Sequence, residues 1–215
     1  MGEEARDRLD RLHREMRMRI CLLDWAPGTR LSEGDIAAEY GVSRTPIRRV
    51  LARLEDEGLV LSQHGVGTLV TDPDAEELAQ TYALRMELAE LVGRLAPVVP
   101  SAAKLAKLET FLDRARALAA APDPRDFARL NMDFFGFGLS LTGNAVLREV
   151  SERLYYRTAR VWLRQIAGLD LAEECAIFLT ELQDTRRALA LGDCAAAALI
   201  RRAHISMSVH RLMAA

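Results

Sequence analysis

Leu9, Leu12, Met16, Ile20 and Leu23 recur at three- and four-residue intervals, which puts them on one face of a first helix. Pro27-Gly28 is expected to stop that helix in a turn. Ser32 stands as the N-cap of a short second helix, with Asp35 in the capping-box position and Gly41 as the C-cap after Tyr40. Ser43-Arg44-Thr45-Pro46 opens a third helix, where Pro46 fits the first turn because its missing N–H costs nothing there. Ile47, Val50, Leu51 and Leu54 form its apolar stripe, and Gly58 ends it. Leu59-Val60-Leu61 and Thr68-Leu69-Val70 flank a Gly-bearing turn and predict a hairpin of two short strands.

From Asp74 onward the pattern is helical throughout. Breaks at Pro97 to Pro100, Pro122 to Pro124, Gly143-Asn144, Gly168 and Gly192-Asp193 divide it into six amphipathic helices, over about 74–98, 101–120, 124–141, 144–166, 168–191 and 193–213. The first carries the stripe Leu84, Leu88, Leu91 and Leu95; the last carries Ala197, Ile200, His204 and Met207. The predicted fold class is therefore mainly α: an N-terminal winged helix-turn-helix over residues 1–72, then an antiparallel all-helical bundle of about six helices over 73–215. Such a bundle can enclose a cavity.

Composition narrows the partners. The 215 residues hold 29 Lys+Arg against 31 Asp+Glu, a net charge of −2, so the chain is no polycation. Neither part is basic as a whole, so a nucleic-acid surface has to be a local patch. The only lysines are Lys104 and Lys107, which leaves planar, bidentate Arg as the cation in use. Cys21, Cys175 and Cys194 are too few and too scattered for a disulfide framework or a zinc cluster. No apolar run approaches the ~18 residues of a membrane span, and the charged start lacks the apolar core of a signal peptide. A cytoplasmic protein with reduced thiols and no membrane partner is expected.

The third helix is where charge becomes informative. Its apolar stripe leaves Arg44, Arg48, Arg49 and Arg53 at or near the opposite face, while Glu55, Asp56 and Glu57 sit at the far end. A recognition helix enters the major groove with its N-terminal residues against base edges, and Arg reads guanine bidentately. The plain alternative is a set of solvated helix arginines.

The stretch Pro27-Gly28-Thr29-Arg30-Leu31-Ser32-Glu33, with Ala37, Gly41-Val42-Ser43-Arg44-Thr45-Pro46-Ile47-Arg48, Leu51, Leu54 and Gly58-Leu59-Val60, resembles the GntR family of bacterial transcription regulators over about residues 8–71. The resemblance implies DNA binding as a homodimer to a short palindromic operator. It places Arg44, Thr45 and Arg48 against DNA, Arg49 beside them as an added positive charge where the family commonly has Glu, and His64-Gly65 at a wing tip entering the minor groove. Gly34 stands where some members carry a DNA-contacting Arg.

Residues 76–212 resemble the FCD-type ligand-binding domain of the FadR branch of these regulators. Tyr82 with Arg85, the Thr142-Gly143-Asn144 turn, and Ala188-Leu189 through Gly192-Asp193 to Ala197 and His204 carry that likeness. Many such domains hold a divalent metal. The resemblance puts Asn131, Phe135, Leu182 and His204 at the four ligand positions, and only His204 is a good ligand. The family metal site is therefore expected to be lost, with no cofactor. Arg85, Asn131, Phe135 and His204 become the candidate effector-pocket residues. Arg85 is open to a structural salt bridge, and His204 to a plain core position. The aromatic-basic run Tyr155, Tyr156, Arg157, Arg160, Trp162 and Arg164 suggests a solvated face, with a pocket wall as the alternative; Phe127, Phe134, Phe135 and Phe137 suggest core, with Phe135 making the cavity drier and more apolar.

The function expected from all this is a DNA-binding transcriptional regulator, a repressor rather than an enzyme, responding to a small-molecule effector such as an organic acid or acyl compound. Two rivals stay open: a metal-independent enzyme in the helical part, and a DNA-binding protein that takes no ligand. Against the first, no nucleophile–base pair, metal triad or phosphate loop stands at a recognisable spacing.

Overall fold

The computed structural model describes residues 3–214, which fall into two units, Met1–Asp74 and Ala75–Ala215. In the first unit α1 (Glu3–Cys21) is followed by β1 (Arg30–Leu31), α2 (Glu33–Glu39), α3 (Arg44–Asp56), β2 (Val60–Gln63) and β3 (Gly67–Val70). The predicted hairpin is present, and the sheet has a third strand that the pattern did not show. β1 pairs antiparallel with β3, giving the order β1-β3-β2, with Arg30 opposite Leu69 and Val60 opposite Val70. A two-residue strand has no periodicity to read, so only the partner strand defines it.

α1 also ends earlier than Pro27-Gly28. It stops at Cys21 because Leu23 turns into the left-handed region, φ 62°, while Asp24 N donates to Arg19 O at 2.9 Å. That closes the helix in a Schellman-type cap usually built on Gly. Leu22 and Trp25 are buried in its wake, whereas Leu23 leaves the stripe half-buried. The cap at Ser32 forms as expected, its hydroxyl accepting from Asp35 N at 3.3 Å. Ile47, Val50, Leu51 and Leu54 are all buried, and with Leu12, Met16 and Ile20 they form the core under α3.

The second unit contains α4 (Ala75–Leu91), α5 (Ala102–Ala120), α6 (Pro124–Leu139), α7 (Ala145–Gln165), α8 (Leu171–Ala190) and α9 (Cys194–Ala214). Polar caps open α5 to α8: Ser101, Asp123, Asn144 and Asp170 each accept a backbone N–H from the first turn. α4 lies against α7 and α9, α5 against α6 and α8, and α8 against α9. Phe111, Phe127, Phe134, Phe137 and Phe178 interlock edge to face or stacked in the core, so three of the four expected phenylalanines pack there, while Phe135 is only half-buried and stacks on Tyr155.

Four sequence expectations fail here, each for a packing reason. α4 stops at Leu91 rather than near 98. Its continuation instead hydrogen-bonds to the end of the α6–α7 turn: Val98 N donates to Leu141 O at 2.7 Å and Gly143 N to Ala96 O at 2.8 Å. The stripe Leu84, Leu88, Leu91 and Leu95 is not the buried face, since Leu84 is 47% exposed and Leu78 and Tyr82 are buried instead, packed with Val161 and Ile205. On α9, Met207 is exposed and Ala198, Ile205 and Leu212 join Ala197 inside. A helix contacted from two sides buries more than one stripe, so a single period misplaces its face. Finally, the face Arg157, Arg160, Arg164 is not uniformly solvated. Arg160 is 1% exposed, with Nη1 donating to Arg157 O at 3.2 Å, and Arg157 pairs with Glu77 at 2.6 Å.

Candidate nucleic-acid interface and bundle cavity

The first site grows from the exposed side of α3. Burial of Ile47, Val50, Leu51 and Leu54 forces Arg44, Thr45, Arg48 and Arg49 outward, and all four are exposed. α2 then positions two of them. Arg48 donates from Nε to Glu33 Oε1 at 3.0 Å and from Nη2 to Glu33 Oε2 at 2.8 Å, a bidentate pair. The Arg48 bond is the main reason the Glu33 carboxyl sits below the usual carboxylate range. Arg44 lies over Gly34: a Cβ built there would stand 3.2 Å from Arg44 Nη2. Lack of a side chain at Gly34 is thus what gives Arg44 its resting place.

Arg53, which the sequence groups with this cluster, belongs elsewhere. Its guanidinium reaches Asp10 at 2.9 Å and Glu57 at 3.4 Å, so the basic patch is confined to Arg44, Arg48 and Arg49. Glu55 fixes the outer part of β2 to α3, accepting from Ser62 N at 2.6 Å and Ser62 Oγ at 2.8 Å. At the tip His64 and Gly65 are exposed, with Gly65 at φ +75°, where a β-carbon is strained. The unit therefore presents an arginine-bearing helix end and an exposed β-turn. Glu33, Gly34 and Glu55 escape a sequence reading because their roles depend on the side chain each one meets.

The second site is a cavity of about 60 Å³ inside the bundle, walled by α4, α6, α7, α8 and α9. Its lining is mostly apolar, with Leu88, Val92, Phe134, Phe135 and Ile205 among it. Its polar members are Arg85, Ser151, Thr185 and Arg201. Arg85 Nη1 donates to Thr158 Oγ1 at 2.5 Å, and its guanidinium carbon stands 5.0 Å from both the Tyr82 and Tyr155 rings. Burial pushes Arg85 below the ordinary arginine range. Arg201 has the opposite fate. Burial also works against its charge, but Glu181 at 2.7 Å outweighs that and raises it, and Asn131 Oδ1 accepts from Nη2 at 3.1 Å.

Of the four candidate pocket residues, Arg85 and Phe135 line the cavity and Asn131 and His204 do not. Asn131 bonds to Arg201, and His204 Nδ1 stands 4.0 Å from Glu181 Oε2, so both support the Arg201–Glu181 pair instead. Phe135 stacks on Tyr155, centroids 3.8 Å apart and planes within 5°. Leu182 is fully buried core. These residues do not fit a divalent metal: Phe135 and Leu182 offer no donor atom, and the guanidinium of Arg201 already occupies Glu181 Oε1 and Asn131 Oδ1. Among the described residues no three of His, Cys, Asp and Glu come together in a metal-holding group. Arg201, Ser151 and Thr185 were not picked out by the sequence, because nothing in a helical period says which polar residue faces a void.

Comparison with known proteins adds the following. Residues 9–70 match the model of bacterial regulatory proteins of the gntR family, and residues 80–207 match the FCD domain. The HTH-type transcriptional regulator YdhC of Bacillus subtilis is 28% identical over 60% of this chain and 58% of its own. The histidine utilization repressor of Klebsiella aerogenes is 39% identical over 33% of this chain and 29% of its own. The chain thus spans about half or less of the length of these two relatives. Among solved structures, Escherichia coli McbR/YncC superposes with a TM-score of 0.83 over 95% of this chain and 96% of that one, at 18% identity.

Proposed function

The chain belongs to the GntR family of bacterial regulatory proteins and carries an FCD domain, and from that premise we propose that it is a transcriptional repressor that binds a palindromic operator as a homodimer and responds to a small-molecule effector in the bundle. The observation that carries the reading is the exposed N-terminal end of α3, with Arg44, Thr45, Arg48 and Arg49, together with the exposed hairpin turn at His64-Gly65. That shape suits a helix in the major groove and a wing in the minor groove. Repression is supported by the name of the Klebsiella relative. No helix among the described residues is long and apolar enough to cross a membrane, in keeping with a protein that works on DNA in the cytoplasm.

The effector changes operator affinity only through its differential affinity for the competent and incompetent forms of the protein. This reading takes no metal, which is supported by the lack of a donor atom on Phe135 and Leu182 and by the Arg201 guanidinium on Asn131 Oδ1. The test is selection of binding sites from fragmented genomic DNA by the full chain, followed by footprinting and by mass measurement of the complex. A short inverted repeat bound by two chains is expected. Sequence-independent binding, or a single chain per site, overturns the reading.

A further inference from the structure

We infer that Arg30, on the short strand β1, is the cation of the wing and reads a narrow, A·T-rich stretch of the minor groove beside the turn at His64-Gly65. This deepens the proposed function and rests on that reading, since it adds a specificity-determining residue to the same DNA surface.

The hairpin itself lacks the charge its task needs. Residues 60–70 hold no Lys or Arg, and His64 is their one titratable side chain. A segment in the minor groove lies between two rows of phosphates. The negative potential there is strongest where the groove is narrow, as over A·T runs, and proteins meet it with Arg or Lys. In this chain the cation comes from the neighbouring strand. Arg30 stands opposite Leu69 where β1 pairs with β3. Leu31 is buried, so alternation turns Arg30 to the exposed face of the sheet, together with Leu69 and Gly67. A long side chain reaches the diagonal neighbour on that face, which here is Gly67. The Arg30 guanidinium lies across it: a Cβ built on Gly67 would stand 3.2 Å from Arg30 Nε and 3.8 Å from Nη2. Gly67 also takes φ +115°, so a side chain is excluded there on two grounds. The bare Gly67 backbone thus lets the guanidinium run along the sheet toward the turn, two residues from Gly65.

Arg30 is positioned without being neutralised. In the same unit Arg19 pairs with Glu39, Arg48 with Glu33 and Arg53 with Asp10. Arg30 is exposed, and its guanidinium makes no ion pair or hydrogen bond among the described residues. Glu55, the carboxylate that meets the hairpin, holds Ser62 on the opposite face of the sheet, because Ser62 pairs with Thr68 and not with Leu69. Arg44, at the head of α3, is laid over Gly34 in the same manner. Contact with a glycine backbone restricts where an arginine side chain can go, which lowers the entropy lost on binding, while its charge stays available for DNA.

The test uses the full chain and the inverted repeat recovered by selection, read by fluorescence anisotropy. Each adenine in turn is replaced by 2,6-diaminopurine. That base gives an A·T pair the minor-groove amino group of G·C and leaves its major-groove edge unchanged. The unaltered chain is expected to lose about fivefold or more in affinity at one place in each half-site. Arg30→Ala is expected to lose a similar factor on the unmodified repeat, to become indifferent to diaminopurine at that place, and to keep its melting temperature. Arg30→Ala combined with Val66→Arg returns an arginine to the hairpin turn and is expected to recover both affinity and sensitivity. An Arg30 that merely held the sheet together would not be replaced from another strand, so a double variant that stays weak overturns the inference. Arg30→Ala binding as well as the unaltered chain overturns it too. So does weakened binding that keeps its sensitivity to diaminopurine, which leaves Arg30 a phosphate contact only. The same proteins are run on an A·T-only duplex and on its copy with diaminopurine for every adenine. If selection recovers no repeat, the regulator reading falls and this pair of duplexes still decides the role of Arg30. If the repeat is bound and the variants do not differ from the unaltered chain, the role of Arg30 falls alone.

Discussion

Glu33, on the first turn of α2, grips Arg48 on α3 through both carboxylate oxygens, at 3.0 and 2.8 Å. An acidic residue thus sits within the surface proposed to meet DNA phosphates, and it fixes the direction of an arginine proposed to read bases. The pair is exposed, so it contributes little to folding. Glu33→Ala is expected to leave the melting temperature unchanged while raising affinity for random duplex several-fold and narrowing the preference for the operator. Fluorescence anisotropy on operator and scrambled duplexes checks this. A preserved operator preference removes Glu33 from the account.

Arg44→Ala and Arg48→Ala are each expected to weaken operator binding about tenfold and to relax specificity at single base pairs. Arg49→Ala is expected to weaken all sequences alike and to lower the salt dependence of binding by about one ion. Titrations across a range of salt on operator variants separate the two patterns.

Gly93 packs against α9 with no room for a side chain. A Cβ there meets Cys194 O at 2.6 Å and Ala195 Cα at 2.8 Å, both backbone atoms that cannot rotate away. Gly93→Ala is expected to destabilise the bundle by about 1–3 kcal/mol. Gly136, inside α6, meets nothing within 4 Å, and Gly136→Ala is expected to stabilise by about 0.5–1 kcal/mol. Thermal melts of the two variants should move in opposite directions.

His13 on α1 is buried with Nε2 2.8 Å from Glu57 Oε1 at the end of α3. Burial alone raises the Glu57 carboxyl, but His13, Arg17 and Arg53 around it prevail and hold it below the usual carboxylate range. A lowered folded value contributes stability that is complete above the unfolded carboxylate value, about 4.3, and is lost as pH falls below it. The N-terminal unit should therefore lose melting temperature on acidification through that range, and Glu57→Gln should be less stable at neutral pH with a flatter acid limb. Calorimetric scans at stepped pH show whether the two curves converge.

Much of the fold is written in local terms. Ser32, Gly41, Pro46 and Gly58 fix the turns of the N-terminal unit by backbone preference and capping, which act over three or four residues and need no partner. The family likeness over 9–70 rests in part on those same residues and that over 80–207 on Tyr82, Arg85 and the turns at Gly143-Asn144 and Gly192-Asp193, while the stripe Ile47, Val50, Leu51 and Leu54 is what turns Arg44 and Arg48 outward. Phe135 as an aromatic wall and Arg85 as a cavity residue were also legible, from the family anchors together with helical spacing.

What the sequence could not decide is which polar group meets which. Arg48 with Glu33, Arg44 over Gly34, and Arg53 drawn off by Asp10 are pairings across 15, 10 and 43 positions, and no period encodes them. Helix α4 shows the same limit for apolar residues: packed on both α7 and α9, it buries Leu78 and Tyr82 and leaves Leu84 in water. Local preference determined where the helices begin and the class of protein they make. Tertiary packing decided which arginine meets a carboxylate, as Arg201 meets Glu181, and which meets a hydroxyl, as Arg85 meets Thr158, because burial makes an ion pair's worth depend on every neighbour.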